Sequence, residues 1–396
     1  MTLLSDLRVI EVALLAPDSL AMHLADLGAD VIKVEEPPTG DYVRSVGFMR
    51  VDGISAMHRR WNRGKRSIAL NLRVDEGRKA FEDLVAVSDI VVEGLRPGAL
   101  ERRGLGYDRL RAVNPGIVMV SLSGFGQDGP YRDLASHGVA YDAYAGLAPP
   151  METADGFPTV PRHTAVGIHA AALFGAFGAV SAVLSARRTG TGCHLDIAQA
   201  DAATWWNGPL IERDAWWERA GKPGAEPPGS GGLEESVRYQ YYETADGKHV
   251  LFMATEAKFW KQFCDAVGRP DLYESHPPKT PSDHDTGNRQ LRRELVALFA
   301  TRSQREWIEL FLIADVPGAP AYSGSDIRAD PHFQWRAHWL DESRHGMPLL
   351  GSPLRVASGE ALQEPSVAPQ VGEHTEEVLR DLLGYSFNRI ADVTGA

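Results

Sequence analysis

Short, continuous apolar runs alternate with helix-patterned stretches from the N-terminus onward, and few folds accept that order. Residues 7–12 read as a buried strand, residues 19–27 as a helix ending at Gly28, and residues 30–34 as the next strand. A glycine suits the C-terminal cap of such a helix. The cycle recurs, with strand patterns at 66–72, 90–92, 117–122 and 194–197 and a helix pattern at 75–85. This alternation predicts a parallel sheet covered by helices, an α/β fold.

At 396 residues the chain exceeds what one hydrophobic core usually serves, so a second unit is expected. Residues 222–232 are rich in Pro, Gly and Ser, the composition of a linker or loop. Beyond them, residues 238–243 and 249–254 alternate as strands around Asp246-Gly247, a pair that favours a tight hairpin. Helix patterns at 257–267 and 289–301 complete a smaller α+β unit. A boundary is expected in that linker-like stretch, with a last segment from about residue 330 onward. Strand and loop signals fill that last segment until a helix pattern at 373–383.

Net charge is -12, with 41 Lys and Arg against 53 Asp and Glu. Nucleic acid and anionic membrane surfaces both call for a basic face, so neither is the expected partner. The uncharged run 163–186 is long enough to span a bilayer, but its Ala and Gly content and its histidines favour a buried helix. Two cysteines, Cys193 and Cys264, are too few for a disulfide framework, and no secretory signal opens the sequence. The expected location is the cytoplasm. No cluster of His, Cys and Asp has metal-ligand spacing, so no metal is expected.

Gly124, Gly126 and Gly129 follow a strand with G-x-G-x-x-G spacing. Pro130 and the lack of a helix pattern immediately after them remove the helix N-terminus a pyrophosphate would need, so a turn is expected instead.

Seven blocks carry a more specific signal: LADLGADVIKVEEPPTGDYVR at 24–44, NRGKRSIALNL at 62–72, VEGLRPGALERRGLGYDRL at 92–110, SGFGQDGPY at 123–131, RRTGTGCHLDIAQADA at 187–202, DVPGAPAYS at 315–323 and DPHF at 330–333. In this order they resemble the family III CoA transferases, which include formyl-CoA and carnitine CoA transferases and the α-methylacyl-CoA racemases. The resemblance implies a large doubly wound, Rossmann-like domain made from residues 1–220 and a return at 330–396, with a small α+β domain and its linker at 221–329. It also implies two chains interlocked as a homodimer, and an acyl-CoA thioester as substrate with a carboxylic acid as acceptor. It implies no permanently bound cofactor, coenzyme A arriving as part of the substrate.

Coenzyme A carries three phosphates, and an acidic protein must meet them with local cations. Arg44, Lys65, Arg66, Arg96, Arg102 and Arg103 lie in the similar blocks; Arg44, Arg96 and Arg103 are the binding candidates, the last two placed nearest the nucleotide by the resemblance. The family usually has Asn-Phe before Arg-Pro-Gly, where this chain has Gly94-Leu95.

Transferases of this family attack the thioester with an aspartate four residues before a glycine. Here the stretch is Arg162-His163-Thr164-Ala165-Val166-Gly167, with His163 in that place. Asp142 is one carboxylate that could substitute, and an acyl-imidazole on His163 is another route. The racemase block containing a histidine is similar to Ser136-His137-Gly138, with Gly138 replacing an aspartate, and the glutamate block is similar to Ala254-Thr255-Glu256. His137, His163 and Glu256 are therefore the catalytic candidates. Proton transfer at the carbon α to the thioester needs a base of near-neutral pKa, which histidine supplies. The alternatives to CoA transfer are such a racemase-type reaction and a non-catalytic CoA-binding subunit.

Overall fold

In a computed structural model, the structure describes residues 1–47, 49–162, 164–221 and 233–394. The chain separates into two units, Met1–Pro209 with His338–Ala396, and Leu210–Ala337.

The first unit is built on β1 (Arg8–Ala13), β2 (Asp30–Glu35), β3 (Lys65–Ala69), β4 (Ile90–Gly94), β5 (Val118–Ser123) and β6 (His194–Ala198). All neighbours are parallel and the order is β3-β2-β1-β4-β5-β6. Sequence order reverses beside β1, the arrangement that opens a crevice at the carboxyl ends of the strands. Helices cover both faces. On one, α1 (Asp18–Ala25) and the 24-residue α5 (Val166–Thr189) pack on Val9, Val31, Val92 and Val120. On the other, α2 (Asp75–Val85) and α3 (Tyr107–Val113) meet Ile10, Val12, Ile32 and Val91.

Helix α5 can lie so close because its inner stripe is small. Ala171, Ala172 and Ala179 are fully buried, and a Cβ on Gly175 would stand 2.4 Å from Leu20 Cδ1. Length and composition would let this helix cross a membrane, yet half of its most apolar window is buried. Its other side leaves Leu173, Phe177 and Leu184 exposed, Phe177 by 75%. The short helix α4 (Ala140–Tyr144) precedes α5, and α6 (Gln199–Trp206) follows β6.

The end of the chain returns to the first unit. His374 N–H donates to the Ser67 carbonyl, and Thr375 Oγ1 accepts from Ala69 N–H. The helix pattern at 373–383 is realised as one turn, Thr375–Glu377, followed by a π-helical stretch, Val378–Leu382. Val378 and Leu379 are thereby seated in the core.

The second unit holds an antiparallel sheet of β7 (Gln240–Glu243), β8 (His249–Phe252) and β9 (Gly318–Ala321). Gly247 turns the hairpin with φ +70°. Around this sheet pack α7 (Ala257–Ala266), α8 (Arg289–Phe299) and α9 (Gln304–Ala314), on a core of stacked rings that includes Trp260, Phe263, Phe299 and Trp307. The linker-like residues 222–232 lie outside the described residues.

Candidate active site

A cavity of about 170 Å³ opens at the carboxyl ends of β1, β2 and β3, where the strand order places a crevice. Val12, Ala13, Leu14, Val34, Leu70, Leu72 and Leu95 give it apolar walls. Glu35, Glu36 and residues 39–42 form one rim, and Arg73 and Arg103 supply the positive groups.

A buried ion cluster fixes this rim. Lys33 Nζ lies 2.6 Å from Asp18 Oδ1, 3.0 Å from Asp41 Oδ2 and 3.0 Å from the Ala13 carbonyl, with Glu11 at 3.4 Å. Lys65 Nζ donates to both Glu11 oxygens and to Asn62 Oδ1. Burial alone would depress the Lys33 ammonium, but Asp18, Glu11 and Asp41 outweigh it and hold it well above the ordinary lysine value. Asp41 in turn accepts from Val43 N–H and Leu15 N–H. Both loops bordering the cavity are thus tied to one ammonium.

Arg44 belongs to this framework. Its guanidinium meets Glu35 at 2.6 and 3.0 Å, the Pro369 carbonyl at 2.8 Å and His58 Nε2 at 3.0 Å. Burial, with Arg44 adding, pushes the His58 imidazole down to about 4, so it faces Arg44 as a neutral ring. Arg44 is therefore engaged within the protein, and does not appear in the cavity lining. Lys65 is enclosed in the ion cluster, and Arg66 pairs with Asp30 and Glu377. Of the three binding candidates, Arg103 lines the cavity, with Nη1 donating to the Ala99 carbonyl at 2.7 Å, and Arg96 is exposed nearby in sequence. Arg73 was missed because it lies one residue beyond the 62–72 block; its position just past the third strand of a doubly wound order is the signal that finds it. Arg73 pairs with Glu36 at 3.0 Å, but both are about half exposed or more, and such pairs exchange partners at little cost.

Gly94 has a local cause. A Cβ there would lie 2.4 Å from Pro17 Cβ and 3.0 Å from Ala13 Cβ, so Pro17 occupies the space an asparagine would need. Gly94→Asn is expected to cost about 1–3 kcal/mol of stability, the usual penalty for overpacking, measured by urea unfolding.

The start of α5 is held by a carboxylate. Asp142 Oδ2 accepts from Val166 N–H and Oδ1 from Gly167 N–H, each at 2.7 Å. Both oxygens of this buried carboxylate accept from the amides of a helix N-terminus. His137 is exposed, and among the described residues nothing hydrogen-bonds its ring. Its carbonyl accepts from Ala140 N–H to start α4, and Gly138 turns with φ +55°. His163 lies outside the described residues. Glu256 belongs to the second unit. It is the N-cap residue of α7, exposed, with Oε2 accepting from Thr255 Oγ1 at 3.1 Å.

Gly124–Gly129 is a turn, with Gly126 at φ +92° and Gly129 at φ +83°. Ser123 Oγ accepts from Gly126 N–H and Asp196 Oδ2 from Gln127 N–H, so its amides face the protein.

Residues 4–375 match the model of CoA-transferase family III. The chain belongs to that family and is an acyl-CoA-processing enzyme of its fold. It is 30% identical to the succinyl-CoA–L-malate CoA-transferase beta subunit of Chloroflexus aurantiacus, over 98% of this chain and 96% of that one. It is 34% identical to succinyl-CoA:mesaconate CoA-transferase of Haloarcula hispanica, over 98% of each. Among solved structures, a CaiB/BaiF family protein from Brucella suis superposes with a TM-score of 0.75 at 30% identity, covering 96% of this chain and 99% of that one.

Proposed function

We propose that this enzyme moves CoA from a thioester to a carboxylic acid, holding the nucleotide of CoA in the cavity at the ends of β1, β2 and β3. The observation that carries this reading is the cavity itself, with apolar walls suited to adenine and with Arg73 and Arg103 suited to phosphates. The relatives' names point to small dicarboxylates as the acid class, with succinyl-CoA as a donor. Arg96, exposed on the segment between β4 and Arg103, completes the set of cations offered to the phosphates. Residues 1–220 and 330–396 are the proposed CoA-binding domain and 221–329 the small domain. A second copy would cover the apolar side of α5 and the exposed Trp205 and Trp206, giving the homodimer. The proposed site of action is the cytoplasm, without nucleic acid or membrane as partner.

The proposed nucleophile is His163, which stands at the place of the family's aspartate. Its imidazole attacks the thioester carbonyl and CoA thiolate leaves; the acceptor carboxylate takes the acyl group as a mixed anhydride; the thiolate then attacks the acceptor carbonyl and releases the donor acid. One thioester and one acid enter, and one of each leaves.

The unengaged ring of His137 favours one second reading, proton transfer at the α-carbon with Glu256 and His163 as partners. Incubation with succinyl-CoA and L-malate or mesaconate in deuterium oxide separates the readings. Transfer yields a new thioester with no α-deuterium. Deuterium entering a 2-methylacyl-CoA without any acceptor acid would establish the racemase-type reaction instead, with His137→Ala abolishing it. Binding of CoA with neither reaction would mark a silent subunit.

A further inference from the structure

Glu93 stands beside the cavity without lining it. In register it pairs with Val12 on β1 and with Ser121 on β5, so all three side chains project from the same sheet face, and Val12 is a cavity wall. The carboxyl is 1% exposed. Ser121 Oγ lies 2.7 Å from Glu93 Oε1 and 2.7 Å from His194 Nε2. Glu93 Oε2 has no hydrogen-bond partner among the described residues. The ring of Tyr107, on α3, lies 5.4 Å from that of His194.

No cation among the described residues pairs with this carboxyl. The charged groups acting on it are Glu101, in the turn after β4, and Asp196, on β6; both are acidic. Burial, opposed by the Ser121 hydrogen bond and reinforced by those two carboxylates, pushes Glu93 up to about 7. Burial also lowers the His194 imidazole, leaving it neutral at pH 7. The three side chains therefore form a chain through which one proton can pass: it enters at His194 Nδ1, Nε2–H passes to Ser121 Oγ, and the serine proton passes to Glu93 Oε1. One proton enters and one is bound; His194 changes tautomer from Nε2–H to Nδ1–H, and the Ser121 hydroxyl turns to donate to Nε2.

We infer that Glu93 couples occupancy of the cavity to uptake of a proton, so that an anionic polyphosphate ligand binds best when this carboxyl is neutral. The inference rests on the cavity holding the CoA nucleotide. An anion placed beside a buried carboxyl disfavours its ionised form, and by linkage the ionised form disfavours the anion. The sign follows: binding raises the Glu93 pKa further, takes up protons near pH 7, and weakens as pH rises from 6 to 8.

The test is calorimetric titration of the whole protein with free CoA at pH 7, in phosphate and in Tris, whose ionisation enthalpies differ. Wild type is expected to take up roughly half a proton more than Glu93→Gln, because a group titrating near 7 is about half ionised there. The phosphates of CoA titrate in both proteins and cancel in the difference. Affinity of wild type should fall several-fold more between pH 6 and 8 than that of the variant. Equal proton uptake with binding intact overturns the coupling. A carboxyl ¹³C titration of Glu93 in wild type, with and without CoA, reads the same pKa rise without a variant; an unmoved midpoint overturns it too. Failure of wild type to bind CoA at any of these pH values overturns the cavity reading, and the coupling with it.

Discussion

Lys33→Met is expected to lower the unfolding free energy by about 3–5 kcal/mol, the cost of leaving buried charges without their partner. The ammonium is fully buried and stands among Glu11, Asp18 and Asp41, all equally buried. A methionine of similar length fills the space but neutralises nothing, so Asp18 and Asp41 lose their cation while Glu11 keeps Lys65. The pKa values of the two aspartates then rise, and a carboxyl with a raised folded pKa contributes stability that is present at low pH and lost as pH climbs through that value. The deficit of the variant should therefore shrink between pH 7 and pH 5. Urea unfolding at both pH values checks this. A loss below about 1 kcal/mol would mean that the cluster is dispensable.

Arg73→Ala and Arg103→Ala are each expected to weaken CoA binding by about 10- to 100-fold, since a charge-assisted hydrogen bond to phosphate contributes about 1.5–3 kcal/mol. Together they should exceed either alone, with some shortfall from additivity because both line one cavity. Loss of two cations from the anion site should also flatten the salt dependence of binding. Because Arg73 is 66% exposed and Arg103 holds one carbonyl of its own turn, folding should change little. Thermal unfolding of each variant separates weakened binding from a damaged fold. In contrast, Arg44→Ala should lower stability, since Arg44 ties Glu35, on β2, to Pro369 in the returning C-terminal segment.

The parallel sheet was legible because its strands are short apolar runs. Patterns at 7–12, 30–34 and 117–122 became Arg8–Ala13, Asp30–Glu35 and Val118–Ser123, each displaced by a residue or so. The end of the chain was harder. Residues 378–382 carry a helical pattern, but the π-helical turn there is set by fitting Val378 and Leu379 to the core, which periodicity cannot show. The site divides in the same way. Arg103 could be named from its block, whereas Arg44 could not be discounted without seeing Glu35, a partner nine positions earlier on a neighbouring strand. The capping role of Asp142 spans 24 and 25 residues of sequence to the amides of α5, and the pairing of Lys65 with Glu11 spans 54. Contacts of that range come from the fold.

A crystal structure of the enzyme with CoA tests the central claim most directly. The account predicts the adenine against Val12, Val34 and Leu95 at the ends of β1 and β2, with phosphates on Arg73 and Arg103. CoA bound elsewhere, with this cavity unfilled and both arginines unengaged, would contradict it.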